Sequence, residues 1–319
     1  MKKTISLFFL PFFLVLISAL TFPSYAENWK TKDEIISDFK NLCNSNSDAH
    51  YEIIGYTVNN NPIYVFYFGH GYGKLLIDAV IHGSEWHNTE TLLNLAQWLI
   101  SDNETAQEIR NKLTVALIPI INYDRFNVSR KNANGVDLNR NFQYGWDKAG
   151  STDPDSEHYR GPSALSEPES KALHDFFLEW QPDVYVNIHE YGGTDFRTLK
   201  EACKDYQEIY NEYVKVSQEH GVATWDGVNH VGDYGEANED ATVYANSNGF
   251  VLEVKSGTPT YQEATQEYPE RFKCLCIAVM NLYGSTNPIN VREISHALLI
   301  IALSFFCLFL FKGGIKSVV

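Results

Sequence analysis

The sequence predicts an α/β fold: one domain with a mixed, mostly parallel sheet covered by helices on both faces. Three observations carry that expectation. Leu75–Ile81 and Leu113–Ile121 are continuous apolar runs of strand length, as expected of strands buried on both sides. Between them, Thr89–Ile100 places Leu92, Leu93, Ala96 and Leu99 on one helical face. The chain has 319 residues, 44% of them apolar and 20% charged, which suits one large domain better than two small ones. A core of that size forms without disulfide staples.

The elements follow in order. Asn28 to Leu42 is mixed polar and reads as a short helix. Tyr51–Thr57 and Ile63–Phe68 are β-branched and aromatic runs around Asn59-Asn60-Asn61, which predicts a hairpin. A polar stretch from Asn122 to about Pro162 is too long to be idle in a compact domain and predicts the wall of a site. Ser166-Glu-Pro-Glu169 opens another helix with proline in its first turn, and Asp183–Ile188 and Phe250–Val254 are two further strands. No internal repeat or low-complexity segment interrupts the alternation.

Both ends stand apart from this domain. Residues 1–26 combine Lys2 and Lys3, an apolar run from Ile5 to Leu20 and the small-residue exit Ser24-Tyr25-Ala26, the three parts of a secretory signal peptide; an uncleaved N-terminal anchor is the alternative. Near the other end, 294–311 is long enough for the short end of a bilayer span, and Lys312 and Lys316 in the tail 312–319 would face the cytoplasm. A C-terminal membrane anchor is expected, although a trimmed sorting signal or a buried helix would share this pattern. The chain is therefore placed in the secretory pathway, extracytoplasmic and anchored by its C-terminal helix.

Charge excludes some partners. The chain holds 25 basic and 40 acidic residues; the two ends account for four of the lysines and none of the acids, so the middle carries 21 against 40, a net of −19. Nucleic acid and anionic lipid headgroups are poor partners for that surface. Cys307 lies in the apolar tail, leaving Cys43, Cys203, Cys274 and Cys276 in an oxidising compartment, where Cys203 could bridge Cys274 or Cys276. Cys274-x-Cys276 lacks the second pair that a zinc ribbon needs.

Three clusters could do chemistry. His82-Gly-Ser-Glu85 follows the Leu75–Ile81 strand, and His189 closes the Asp183–Ile188 strand at the same sheet edge. Two imidazoles and a carboxylate suit a catalytic zinc, which takes three protein ligands and keeps one position open. Neither His-Glu-x-x-His nor His-x-x-Glu-His occurs, so helical zinc-binding arrangements are excluded. His87 reads as a surface residue at the helix entry. Arg130, with Asn139 and Arg140 nine and ten residues on, forms a local basic patch in an acidic chain, fit to grip a carboxylate through charge-assisted, bidentate bonds. Glu253 is a carboxylate inside the apolar run Phe250-Val-Leu-Glu-Val254; burying it costs several kcal/mol unless it is paired or functional.

Together these pieces resemble the M14 zinc carboxypeptidase family, in order from Tyr51 to Tyr283. The likeness runs through His82-x-x-Glu85, Gly135-Val-Asp-Leu-Asn-Arg-Asn-Phe142, Tyr159-Arg-Gly-Pro-Ser-Ala-Leu-Ser-Glu-Pro-Glu169, Asn187-Ile-His189 and Phe250-Val-Leu-Glu253. It is closest in character to the secreted bacterial members. The resemblance implies a peptidase domain over 51–290 preceded by a short segment, 27–50. It implies one zinc ion on His82, Glu85 and His189, with Asp137 behind His82 fixing its tautomer. Glu253 would be the general base toward a zinc-activated water, and Arg130 would stabilise the oxyanion. Asn139 and Arg140 would bind the terminal carboxylate, making the enzyme an exopeptidase on the C-termini of peptides and proteins. A mobile tyrosine of the family corresponds to Tyr234, with Tyr244 in the same window.

There are departures. Ser84 stands where several pancreatic relatives have arginine, which removes one auxiliary substrate contact. The segment between signal exit and first strand is too short for the large inhibitory pro-domain of digestive relatives. An acid such as Asp240 at the pocket base would favour Lys or Arg, but the gaps around 240–244 leave that preference open. The sequence sets no oligomeric state. A cell-wall γ-D-glutamyl amidase of the same fold and a non-catalytic binding protein are the competing functions; the second would show a lost ligand or a lost Glu253, and none is lost.

Overall fold

The computed structural model describes residues 29–230 and 234–285; the expected signal peptide and the 294–311 anchor lie outside them. Among the described residues no helix is long and apolar enough to cross a membrane.

Helix α1 (Lys32–Ser45) starts at a capping box in which Thr31 and Glu34 satisfy each other's backbone donors. It buries Ile35, Ile36, Phe39 and Cys43. Strands β1 (Ala49–Tyr56) and β2 (Pro62–Phe68) form the expected antiparallel hairpin. Next come β3 (Gly73–Asp78), α2 (Asn88–Leu99), α3 (Glu104–Lys112) and β4 (Leu113–Ile118), with β3 and β4 parallel. The polar stretch that follows contains three short 3₁₀ turns and an isolated bridge between Ser151 and Tyr159 before α4 (Pro168–Trp180). The remainder is β5 (Val184–His189), β6 (Asp195–Thr198), α5 (Tyr206–Glu219), β7 (Asp226–His230), α6 (Ala237–Ala245), β8 (Asn248–Glu253), a π-helical turn (Glu263–Glu267) and α7 (Tyr268–Tyr283).

The eight strands lie in the order β1-β2-β4-β3-β5-β8-β6-β7. The central pairs β4–β3, β3–β5 and β5–β8 are parallel, as is β6–β7; the other three pairings are antiparallel. Strand periodicity sorts the apolar residues into two cores. Leu75, Ile77, Val115, Leu117, Val184 and Val186 join the layer made by α1, α2, α5 and α7, while Leu76, Ala116, Ile118 and Tyr185 face α4 and α6. Continuous apolar runs are thus explained by burial on both faces.

This topology also makes the site. The chain passes from β3 to β4 on one side and later returns to β5 on the other side of β3. A crevice opens beyond the carboxyl ends where strand order reverses, the place where such sheets bind ligands. Two strands end earlier than their apolar runs suggest: β3 stops at Asp78 and β4 at Ile118, and after β3 Val80, with φ 58°, turns the chain out of the sheet. A β-branched residue in the left-handed region is unfavourable by itself. Here Asn122 donates its backbone N–H to the Val80 carbonyl and holds the turn.

The four described cysteines that could have bridged are all buried and unpaired. Cys203 bonds to Asn248, and burial pushes its thiol up to about 11. The possible bridge from Cys203 to Cys274 or Cys276 is not formed among the described residues, in keeping with a domain of this size needing no disulfide.

Candidate active site and metal centre

His82 and Glu85 sit on the turn after β3, and His189 is the last residue of β5. That turn is packed tightly: the carbonyls of Arg125 and Ser129 lie 2.2 and 2.6 Å from where a side chain on Gly83 would begin, so only glycine fits. One ligand-type atom from each of His82, Glu85 and His189 lies within 4.8 Å of the others, and all three residues are buried. Nδ1 of His189 is 3.2 Å from Nδ1 of His82 and 3.0 Å from Glu85 Oε2, while His82 Nδ1 is 2.8 Å from Glu85 Oε1. Two imidazole nitrogens and a carboxylate converging in a buried position form a donor set that fits a zinc ion.

The other ring nitrogens point away and are held. His82 Nε2 lies 3.1 Å from Asp137 Oδ1. The Oδ2 atom of Asp137 accepts from Arg130 at 2.9 Å and faces Nδ1 of His158 at 3.4 Å. Burial alone would push the Asp137 carboxyl up, but His82, His158 and Arg130 hold it well below the usual carboxylate range. His189 Nε2 faces Asn187 Oδ1, and Asn187 in turn donates to Asp78, which also accepts from Tyr185 at 2.7 Å. Complete burial pushes the Asp78 carboxyl up to about 7, against the pull of those two donors. Each imidazole therefore has a fixed partner behind it, an arrangement that orients metal-binding histidines.

A cavity of about 360 Å³ opens over this group. Glu253, the last residue of β8, lines it and is 8% exposed. Because β5 and β8 are in register, His189 and Glu253 are paired across neighbouring strands. Glu253 Oε2 accepts the backbone N–H of Gly192 at 2.8 Å, and Oε1 accepts from Arg197 at 3.3 Å. Arg130, Asn139 and Arg140 also line the cavity. Asn139 is buried, with its side-chain oxygen on the Ala237 N–H at 2.9 Å. Arg140 donates to the Asn139 carbonyl at 2.7 Å and to Glu236 at 2.9 Å.

The other candidate residues lie apart from this cavity, and one of them, His87, corrects an expectation. Tyr234 does not line this cavity; it lines a neighbouring one that shares Arg140 and His158 with it, with its ring 5.2 Å from the Lys148 ammonium. Tyr244 is exposed on α6 against His174. His87 is buried, not a surface residue, because its backbone and Nδ1 both bond to the carboxylate of Glu190. Asp240 does not line the cavity either: its carboxylate is fully buried, accepting the backbone N–H groups of Gln143 and Tyr144 at 3.1 Å each and bonding His174.

Several site residues escaped the sequence. Asp78 carried a usable signal, since an acid within an apolar run invites the argument applied to Glu253. Gly192, Arg197 and Glu190 carried none: their partners lie 61, 56 and 103 positions away in the chain.

A sequence model of the zinc carboxypeptidase family matches residues 35–269. Mast cell carboxypeptidase A of Rattus norvegicus is 30% identical over 166 residues, 43% of this chain and 39% of that protein. Carboxypeptidase A5 of Homo sapiens is 30% identical over 211 residues, 58% of this chain and 48% of that protein. The chain thus spans half the length or less of these relatives. The solved carboxypeptidase A of Helicoverpa armigera superposes with a TM-score of 0.66 at 18% identity, covering 80% of this chain and 74% of that one. The fold agrees across that distance, and the family model spans well over half of the sequence: the chain belongs to the zinc carboxypeptidase family.

Proposed function

We propose that the protein is a zinc-dependent metallocarboxypeptidase that removes single residues from the free C-termini of peptides. One observation carries this reading: a single cavity joins the His82, Glu85 and His189 group to the Glu253 carboxylate and to Arg130, Asn139 and Arg140. His82, Glu85 and His189 hold the metal in this reading. Zinc supplies Lewis acidity there, making water more acidic and a carbonyl more electrophilic.

Glu253 accepts the proton of the attacking water and returns it to the leaving amine. Its restraint by Gly192 and Arg197 aims the carboxylate into the cavity. Arg130 faces the charge that develops on the scissile carbonyl oxygen, and Asp137 holds its guanidinium in place. Asn139 and Arg140 receive the α-carboxylate, for which an incoming anion competes with Glu236. In this reading Tyr234, which lines the neighbouring cavity that shares Arg140, closes over that subsite when substrate binds. The requirement for a free carboxylate is what makes the activity exo rather than endo.

The extracytoplasmic, membrane-anchored placement rests on the sequence of residues 1–26 and 294–319. The test is mass-spectrometric digestion of a mixed peptide library with and without a zinc chelator. Chelator-sensitive loss of single C-terminal residues is expected, and Glu253→Gln should keep its zinc while turnover falls by roughly 10³-fold or more. Intact peptides alongside cleaved muropeptides would replace this reading with the cell-wall amidase. Near-normal turnover in Glu253→Gln would refute the assigned base.

A further inference from the structure

We infer that Arg197 is a positioning residue that holds the Glu253 carboxylate in its working orientation, an inference that rests on the role given to Glu253 above. Arg197 lies on β6, which pairs antiparallel with β8 so that Arg197 faces Val251 and Phe196 faces Leu252. Its guanidinium reaches past Val251 to the end of β8 and lines the cavity. Nη1 donates to Glu253 Oε1 at 3.3 Å, Nε donates to Asp195 Oδ2 at 3.2 Å, and Nη2 donates to the Gly192 carbonyl. Asp195 is itself braced by Asn229 of β7, whose amide donates at 2.8 Å.

The arrangement is hierarchical. Asp195 and the Gly192 carbonyl fix the guanidinium, so its place does not depend on Glu253. Glu253, by contrast, has one oxygen on the Gly192 N–H and the other on Arg197. Removing Arg197 leaves one oxygen without its guanidinium donor and leaves the carboxylate able to rotate. The 3.3 Å contact is longer than a tight charge-assisted pair, which runs about 2.7–2.9 Å. It therefore orients the base without locking up the lone pair that must take a proton. A base mostly out of solvent at the end of an apolar strand needs such support, because reacting groups must be held within about 0.5 Å of productive geometry.

The competing role for this arginine is recognition of an acidic side chain on the departing residue. Steady-state kinetics of Arg197→Met and Arg197→Lys decide between them, using peptides that differ only in a C-terminal aromatic, aliphatic, basic or acidic residue. Positioning predicts that Arg197→Met lowers kcat about 10- to 100-fold on every peptide, with KM little changed and zinc content intact. Arg197→Lys should recover part of the loss. Loss confined to acidic C-termini, or unchanged kcat on neutral ones, overturns the inference. Crystal structures of the wild type and Arg197→Met test it independently of any turnover. The carboxylate of Glu253 should leave the Gly192 N–H in the variant, and an unmoved carboxylate overturns the inference even if the proposed activity itself fails. Should Arg197→Met not fold, Asp195→Asn loosens the same guanidinium and must give the same uniform kcat loss.

Discussion

Replacing Gly192 by alanine should separate catalysis from folding in one methyl group. A Cβ at this position would lie 2.2 Å from the carboxylate carbon and Oε1 of Glu253 and 2.6 Å from Oε2. Carbon atoms attract only beyond about 3.5 Å, so the carboxylate must retreat by more than about 1 Å. The group that moves is the tip of a flexible side chain, which costs the fold little. Gly192 is exposed and its φ lies outside the left-handed region, so alanine meets no backbone strain there. Stability should stay within about 0.5 kcal/mol, or rise slightly as the unfolded chain loses freedom. A misplacement of about 1 Å in a reacting group costs roughly 100-fold in rate, equivalent to about 2.7 kcal/mol in the barrier. The assay is kcat and KM on a blocked dipeptide, read beside bound zinc and the unfolding midpoint. If Gly192→Ala holds zinc, folds normally and keeps kcat within about 3-fold, then Glu253 is not the proton acceptor or its position is unimportant. Either result would refute the reasoning.

Two further predictions follow from polar pairs behind the site. Asn187→Ala removes the nearer of the two partners of His189 Nε2, leaving Asn139 at 3.4 Å, and should weaken zinc affinity by about 10- to 100-fold in a chelator competition; unchanged affinity would mean that the Asp78–Asn187 pair does not orient the ligand. The hydrogen bond to Asp240 raises the His174 pKa despite burial, so its stabilisation is fully present below the ordinary histidine value of about 6.5 and is lost as pH rises through the folded value. Denaturant unfolding should therefore show wild type exceeding His174→Gln by about 1–2 kcal/mol at pH 6, with the gap shrinking in alkali; a gap independent of pH would refute the pair.

Much of the fold was legible because its central strands are buried on both faces. Leu75–Ile81, Leu113–Ile121 and Phe250–Val254 announce themselves through continuous apolar runs that only double burial explains. Strands β6 and β7 do not: Asp195–Thr198 and Asp226–His230 are short and polar, and their place in the sheet comes from pairing at its edge. Helices α3 and α5 to α7 went unassigned as well. In α7 the buried residues Phe272, Cys274, Leu275, Cys276, Ala278 and Val279 leave little one-sided pattern to read. Ligand-type residues were legible because each closes a strand or follows one. His87 was misread for the opposite reason: its burial depends on Glu190, 103 residues away, and no local pattern carries that.

The positions of the charged groups explain why this site is built as a chain of shared partners. Asp137 serves both His82 and Arg130, so one fully buried carboxylate orients a metal-type ligand and an anion-binding arginine together. Gly192 likewise gives its N–H to Glu253 and its carbonyl to Arg197. A buried charge costs several kcal/mol unless paired, and a half-satisfied network is worse than none. Sharing satisfies two groups with one desolvated partner, which limits the number of charges the crevice must bury. It also makes the groups interdependent: moving Asp137 moves the ring of His82 and the fork of Arg130 at once. Losses at Asp137, His82 and Arg130 should for that reason fail to add, whereas Asn187 and Arg197, on separate arms reaching β5 and β8, act through His189 and Glu253 alone.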